Sequence, residues 1–303
     1  MSMEGDRAEV ARVMTSHASV VQIHTGNIIN WNLLKKHKFH QNMTSTDELM
    51  DSLHSAVQSW IGSISLDPMN IPEPQSVLKV SNHEMKAPID PDQRESLKLS
   101  VKLFVYDWRP ELIRQAVDRV IHCLDVQKLD SLMVSFPITP PSTLDAQNLN
   151  LNAPVVDMEK VKPVWKELES TVDSGHVSNI GVCDFDRMSL DQLYQWARIK
   201  PSINQINLTN CCAVPNDLIQ FSREQSIQLL THNDLPEILS ARSFQGFMTE
   251  AIDDVDSVSW NPAFIARYSV LVRNRGIVHS KGYLLAAERR QDTGDQTENY
   301  RFF

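Results

Sequence analysis

The sequence predicts an α/β fold, a single (β/α)8 or TIM barrel. Eight short apolar segments, typical of buried strands, alternate with segments of helical periodicity along residues 20–286. Eight strands that alternate with helices are typical of this barrel. A doubly wound open sheet is the alternative. It is less well supported, because no Gly-rich phosphate turn follows a strand near the start of the chain.

The eight predicted strands are spread over the whole chain. They lie near residues 20–23, 76–80, 99–105, 131–135, 177–182, 203–208, 227–231 and 276–280. Between the third and fourth strands, an apolar stripe from Leu112 to Leu124 predicts a helix. This stripe follows Pro110, a residue that suits the first turn of a helix.

Composition divides the chain into one domain with additions at its ends. Residues 1–19 are interpreted as an N-terminal extension and residues 20–286 as the barrel. Residues 137–154 are rich in Pro, Asn, Ser and Thr, so they are predicted to form a long loop after the fourth strand. Residues 287–303 are polar and aperiodic, which predicts a disordered tail.

One βαβ unit is especially clear. The apolar run 177–182 predicts a strand that is buried on both faces. Ser189 and Gln192 have the spacing of a capping box, which predicts a helix that begins near residue 189. Pro201 cannot continue that helix, and the apolar positions of residues 203–208 predict the next strand.

Composition and charge exclude several classes of protein. The 303 residues include 42% hydrophobic residues and carry a net charge of -9, with a pI near 5.6. Such a charge disfavours binding to nucleic acid or to acidic membranes, so another protein is the expected partner. No apolar run reaches the roughly 18 residues that span a bilayer, and the N-terminus lacks the apolar core of a signal peptide. We therefore expect a cytoplasmic protein.

The cysteines and histidines offer few chemical motifs. Cys123, Cys183, Cys211 and Cys212 form no CxxC pair and no zinc spacing, and there is no HExxH among the ten histidines, so no metal site is predicted. GxSxG and Walker motifs are also absent from the sequence. The adjacent Cys211 and Cys212 follow the sixth strand at the face where barrels keep their sites. Packing and a redox or partner-contact role remain equal alternatives for this pair.

The barrel resembles the aldo-keto reductases, which reduce carbonyl groups with NADPH. The resemblance places the family's third-strand lysine at Lys102, in LKLSVKLF. It places the family's fourth-strand histidine at Ser135, in LDSLMVSFP, and a serine cannot replace an imidazole as a charge-tuned donor. The family's Asp-x-x-x-x-Tyr has no counterpart in residues 76–95, so the proton donor for the alkoxide is missing.

The family's nicotinamide contacts are only partly present. Where the family has Ser and Asn against the carboxamide, this chain has Cys183 and Asp184. The next strand keeps the family's glutamine as Gln205, and the stacking aromatic of the seventh strand aligns with His232. These changes disfavour hydride transfer.

The phosphate clamp of the family is matched by RGIVHSKGY, through Lys281 or through Ser280 according to the register. The arginine expected six residues later is replaced by Ala287. The resemblance leaves residual binding of NADP through Gln205 and Lys281 open. Lys102 and Lys281 can also be explained as structural lysines with long apolar stems.

The whole chain is similar to one branch of this superfamily, the regulatory or modifier subunits of glutamate–cysteine ligase. The similarity is carried by HTGNIINW at 24–31, LDSLMVS at 129–135, residues 180–212 with QLYQWA, IQLLTHND at 227–234, and residues 267–290. These segments cover nearly every predicted element.

The resemblance implies a protein without a reaction or a required cofactor of its own. It would bind the catalytic subunit of the ligase as a heterodimer, improve glutamate use and relieve feedback inhibition by glutathione. Cys211, Cys212, the loop 137–154 and the C-terminal segment with Trp260 are the candidate contact regions. Two alternatives stay open: an active reductase that uses Tyr106 as its acid, and a module that binds NADP without turnover.

Overall fold

The computed structural model describes residues 3–29, 43–67, 69–70, 72–82, 85, 88–137, 156–209 and 213–290. The predictions for the loop 137–154 beyond Pro137, for Cys211 and Cys212, and for the tail beyond Arg290 lie outside the described residues. The helices are α1 Met3–His17, α2 Ser45–Ser63, α3 Glu111–Leu124, α4 Met158–Asp173, α5 Arg187–Trp196, α6 Asn216–Glu224 and α7 Ala241–Ile252. The strands are β1 Val20–His24, β2 Val77–Ser81, β3 Leu97–Val105, β4 Leu129–Ser135, β5 Val177–Cys183, β6 Ile203–Asn207, β7 Gln228–His232, β8 Trp260–Val272 and β9 Ile277–Arg289.

The nine strands form one sheet in the order β2-β1-β9-β8-β3-β4-β5-β6-β7. The ladders from β3 to β7 are parallel, as is the ladder between β1 and β2. The ladders β1–β9, β9–β8 and β8–β3 are antiparallel. Three successive reversals make β1, β2 and β8 run opposite to the other six strands.

The predicted α/β class and the alternation of strands and helices are confirmed. Each of the eight predicted strands is present within a few residues, except that the last continues to Arg289. The arrangement differs from a ring of eight parallel strands through the β8–β9 hairpin, which separates β1 from β3. Within the described residues, no ladder joins the outer strands β2 and β7.

Strand β8 is the element that the sequence did not predict. Pro262 lies within it, and proline normally argues against a strand with partners on both sides. The structure places Pro262 at an irregularity in the ladder with β9, between Pro262 and Phe264, where the missing N–H is tolerated. A position of this kind cannot be recognised from local pattern alone.

Two apolar cores hold the helices on the sheet. The first packs α3, α4, α5 and α6 against one face of β3, β4 and β5, and its largest buried side chains include Trp165, Phe185 and Phe264. The second packs α1, α2 and α7 against β1, β2 and β9, with Phe244, Phe247 and Trp260. Each large apolar side chain that is fully buried contributes about 1.5–3 kcal/mol.

Helix boundaries refine the sequence prediction. The helix predicted from residue 189 begins at Arg187, because Asp186 caps it and accepts a hydrogen bond from the Ser189 backbone N–H at 2.7 Å. The predicted N-terminal extension contains α1. Among the described residues, no helix is long and apolar enough to cross a membrane.

Candidate functional site

Three charged side chains meet on the face of β3 that lies opposite the first core. The Lys102 Nζ donates to Asp234 Oδ2 at 2.8 Å. The Arg267 guanidinium donates to Asp234 Oδ1 and Oδ2 at 2.6 and 2.9 Å. The side chains of Lys102 and Asp234 are each only 3% exposed. A carboxylate thus binds two cations in a dry environment.

The strand pairing places two positive charges side by side, and the Asp234 carboxylate compensates them. Lys102 and Arg267 are direct partners in the β3–β8 ladder. Like charges opposite one another on neighbouring strands repel. Both cations also lie over the ring of Phe104, at 5.0 Å for Lys102 and 5.6 Å for Arg267. Asp234, two residues beyond β7, neutralises the pair and ties β7 to β3 and β8.

The electrostatic environment keeps these groups ionised. Burial alone would raise the pKa of Asp234, but hydrogen bonds with His232 and Arg267 and the charges of Arg267 and Lys102 lower that pKa far below its usual range. Burial alone would lower the pKa of Arg267, but its bonds with Asp234 raise it. The cluster is therefore a fixed set of paired charges rather than a group poised to exchange protons near neutral pH.

His232 links this cluster to β5. Its Nε2 lies 3.1 Å from Asp184 Oδ1 and 3.2 Å from Oδ2, and its Nδ1 lies 3.3 Å from Asp234 Oδ2. Burial alone would lower the pKa of His232, but the hydrogen bonds with Asp184 and Asp234 raise it overall. Asp184 has a left-handed backbone with φ of 61°, and its Oδ1 also accepts the Asn207 N–H at 2.7 Å. The imidazole and the carboxylate are thus held against each other.

A second polar group lies at the start of α2. The Tyr283 hydroxyl donates to Glu48 Oε1 at 2.6 Å, and Lys281 Nζ lies 2.5 Å from the same oxygen. Burial raises the pKa of Tyr283, and the charge of Glu48 raises it further. Ser45, on the same helix, donates to Asp234 Oδ1 at 2.6 Å. Helix α2 therefore meets both polar groups through its first turn.

A pocket of about 300 Å³ opens beside Ser135, the residue that aligns with the reductase histidine. It is lined by Phe104, Val105, Tyr106, Ser135, Phe136, Pro137, Pro236, Glu237 and Ile238. Burial raises the pKa of Tyr106, and the charge of Glu237 adds to this shift. A tyrosine acid of a reductase is instead made more acidic by a neighbouring cation. Tyr106 is therefore a poor proton donor.

The residues do not fit a bound nicotinamide cofactor. Asp184 and His232, which align with carboxamide and stacking positions, are hydrogen bonded to each other. Lys281, the candidate phosphate ligand, is neutralised by Glu48. The Gln205 amide donates to the Thr231 carbonyl at 3.4 Å. Accommodating the cofactor would require breaking the first two contacts.

Comparison with known proteins gives the relationship. Residues 76–250 match the model of the aldo/keto reductase family. The glutamate–cysteine ligase regulatory subunit of Mus musculus is 39% identical over 287 residues, which cover 94% of this chain and 99% of that protein. The Homo sapiens regulatory subunit gives the same values. The chain belongs to the glutamate–cysteine ligase regulatory subunit family. Aldose reductase B of Dictyostelium discoideum is 29% identical over 149 residues, covering 47% of this chain and 48% of that protein.

The structure places the predicted site residues of this regulatory subunit homologue in different environments. Lys102 lies at the centre of the charged cluster, as an ion-paired structural lysine. Among the described contacts, none joins Gln205 to Lys281. Trp260 is fully buried and donates to Asp254 Oδ2 at 2.6 Å, so its side chain packs within the scaffold, and a partner contact through the segment that contains it stays a prediction. Cys183 is buried, and burial raises its thiol pKa to about 12.

The sequence interpretation missed Asp234, Arg267, Glu48 and Tyr283. Asp234 lies two residues beyond the end of β7, and such a position could have been singled out as a site residue. Arg267 interrupts an apolar strand pattern, which normally indicates a solvent face. In the described part of the chain, no cluster of His, Cys, Asp or Glu has the composition to hold a metal ion.

Proposed function

We propose that this chain is a non-catalytic regulatory subunit that binds the catalytic subunit of glutamate–cysteine ligase. It improves the use of glutamate by that subunit and relieves its inhibition by glutathione. The observation that carries the proposal is the similarity to mammalian regulatory subunits over 94% of this chain. The family-model match to reductases spans only residues 76–250. The similarity therefore extends well beyond the part of the chain that matches the reductase model.

The geometry of the charged cluster supports the absence of reductase activity. A reductase needs a proton donor, a charge that tunes it, and room for nicotinamide. Here Lys102 is committed to Asp234, Tyr106 has a raised pKa, and Asp184 and His232 bind each other. These contacts favour a stable scaffold over a reacting site.

The two alternatives from the sequence are less well supported. An active reductase would require Tyr106 to donate a proton although Glu237 and burial oppose its ionisation. An NADP-binding module would require Lys281 to exchange the Glu48 carboxylate for a phosphate. We retain neither as the function of this chain.

Regulation of this kind is a coupling free energy between two binding equilibria. A subunit that binds more tightly to the glutamate-competent state of the ligase raises the glutamate affinity by the same factor. Since the effect depends on complex formation, it should saturate at one chain per catalytic subunit. We propose that the heterodimer acts in the cytoplasm, which subcellular fractionation can test.

The direct experiment titrates the purified chain into the catalytic subunit. We expect the apparent KM for glutamate to fall and the glutathione concentration for half-inhibition to rise, both with a break near equimolar ratio. Isothermal calorimetry in parallel measures binding. Kinetics that stay unchanged at saturating chain, with binding observed, would contradict the regulatory role.

A further inference from the structure

In the connection between α7 and β8, apolar side chains face solvent and polar side chains are buried. Val255 is 84% exposed and Val258 is 73% exposed, whereas Asp254 and Ser257 of the same segment are buried. Isolated exposed apolar residues are common in soluble proteins. Two of them in one short segment, with the polar residues turned inward, are more unusual and mark a candidate contact surface.

The inward polar side chains anchor the segment to the second core. Asp254 Oδ2 accepts the Trp260 indole N–H at 2.6 Å. The hydroxyls of Ser257 and Thr249 lie 2.7 Å apart and form a hydrogen bond. This arrangement is therefore not the result of a loose loop. The chain is tied down by its polar groups, and the valines remain outside.

Arg289 at the end of β9 fixes the same segment from the other side. Its guanidinium donates to Asp254 Oδ2 at 2.9 Å and to Asp256 Oδ2 at 2.8 Å. Its Nε donates to the Ala18 carbonyl at 3.0 Å, and its guanidinium stacks over the Trp260 ring at 4.3 Å. A surface held in this way loses little conformational entropy when a partner binds.

The surroundings of the valines are acidic. The side chains of Asp253 and Glu250 are 83 and 77% exposed, whereas Asp256 is paired with Arg289. The nearest described cation to Asp253 is Arg12, at 3.9 Å. An apolar centre with a carboxylate rim complements a surface that offers apolar side chains surrounded by Lys and Arg.

The position of the segment in the chain separates it from the reductase scaffold. The family-model match ends at residue 250. The match to the mouse regulatory subunit covers 94% of this chain, which includes residues 253–258. The surface therefore lies in a part shared with regulatory subunits and outside the match to the reductase model.

We propose that residues 253–258 are a docking surface for a basic and apolar patch on the catalytic subunit of glutamate–cysteine ligase. The inference rests on the proposed function, because it names the surface through which that function would operate. Val255 and Val258 supply the apolar contact, and Asp253 and Glu250 supply the charge.

The test compares binding of the full chain and of its Val255→Ser/Val258→Ser variant to the purified catalytic subunit. Both valines point to solvent, so the variant should keep the wild-type unfolding midpoint. We expect its Kd to rise by about tenfold, which corresponds to about 1.4 kcal/mol shared by the two truncated side chains. Met188→Ser is the matched control, because Met188 is 70% exposed on α5. Its Kd should stay at the wild-type value.

A second variant, Asp253→Asn/Glu250→Gln, tests the charge of the partner. Neither carboxylate is among the groups that anchor the segment through Arg289 or Trp260. We expect slower association at low salt and a shallower dependence of Kd on salt concentration. An unchanged salt dependence would overturn the basic character of the patch.

The outcomes distinguish a failure of the docking-surface proposal from a failure of the proposed regulatory function. If wild-type chain binds and the double valine variant binds equally well, or if Met188→Ser weakens binding as much, the docking surface is wrong and the regulatory function stands. If the wild-type chain does not bind the catalytic subunit, both proposals fail. Sedimentation of the chain alone tests a second copy as occupant. A variant that loses only self-association would overturn the assignment to the ligase.

Discussion

Arg267 lies directly opposite Lys102 across the β3–β8 ladder, and the carboxylate of Asp234 binds both cations. This relationship joins the parallel part of the sheet to the antiparallel hairpin. It also makes Lys102, which the resemblance aligns with the reductase lysine, part of a buried ion pair.

Replacing Asp234 by Ala should destabilise the fold by about 3–5 kcal/mol, because removal of one partner leaves buried charges uncompensated. Denaturant unfolding measures the loss. Asp191→Asn on the surface of α5 is the control, with an expected change below about 0.5 kcal/mol. The triple variant Lys102→Met/Asp234→Leu/Arg267→Met should recover most of the loss. A triple variant as unstable as Asp234→Ala would contradict the charge explanation.

His232 should make the stability depend on pH. Its pKa is raised in the folded chain above the unfolded value of 6.5. The folded state therefore holds the proton more tightly, and the resulting stabilisation is complete below pH 6.5 and is lost as pH rises through the folded pKa. The stability difference between wild type and His232→Gln should shrink over that window. His279→Gln, at an exposed position, should follow the wild-type profile; a difference that does not vary with pH argues against the assignment.

The purified chain should not reduce small aldehydes with NADPH. The resemblance aligns Ser135 with the family's histidine, and burial, together with the charge of Glu237, raises the pKa of Tyr106. Absorbance of NADPH measures turnover, with an authentic aldo-keto reductase as positive control. A turnover of about 1 s⁻¹ or more, an ordinary enzyme rate, would refute this prediction. Calorimetry should likewise detect no NADP binding.

The double variant Cys211→Ser/Cys212→Ser should fold normally and associate less strongly with the catalytic subunit under oxidising conditions. The sequence predicts that the pair follows the sixth strand in an extended stretch, where adjacent side chains would point to opposite sides, so we expect at most one thiol in the core. Cys183 supplies the contrast, since burial raises its pKa to about 12 and an alkylating agent should not reach it in the folded chain. A loss of several kcal/mol of stability with an unchanged redox response would make the pair structural.

Gly282→Ala should destabilise the hairpin by about 1–3 kcal/mol through overpacking. A Cβ at Gly282 would lie 2.1 Å from the Gly26 carbonyl oxygen and 2.4 Å from the Tyr268 hydroxyl. Gly246→Ala is the matched control, because a Cβ there meets nothing within 4 Å and alanine favours the helix. The control should leave stability unchanged or raise it by up to about 1 kcal/mol. Equal effects of both substitutions would exclude the packing explanation.

Local patterns were sufficient for much of the fold. The unit from Val177 to Asn207 was predicted closely in its strands and helix, because apolar strands and amphipathic helices leave short-range signals. The capping box predicted at Ser189 and Gln192 was wrong, since Asp186 caps the helix. The charged cluster left no such signal. Asp234 is 132 residues from Lys102 and 33 from Arg267, so only the folded sheet brings the three together. The antiparallel direction of β1 relative to β3 could not be predicted from local patterns either, because it depends on the β8–β9 hairpin near the end of the chain.

The contacts of Arg289 have a consequence for how the chain folds. Arg289 donates to the carbonyl of Ala18, 271 positions earlier. All five residues of β1 pair with residues of β9. During synthesis, β1 therefore lacks its antiparallel neighbour until almost the whole chain has left the ribosome. Closing such a long loop slows folding, because the chain loses its entropy before the contacts form. The N-terminal strand should thus be among the last elements to become protected from hydrogen exchange, although it is made first.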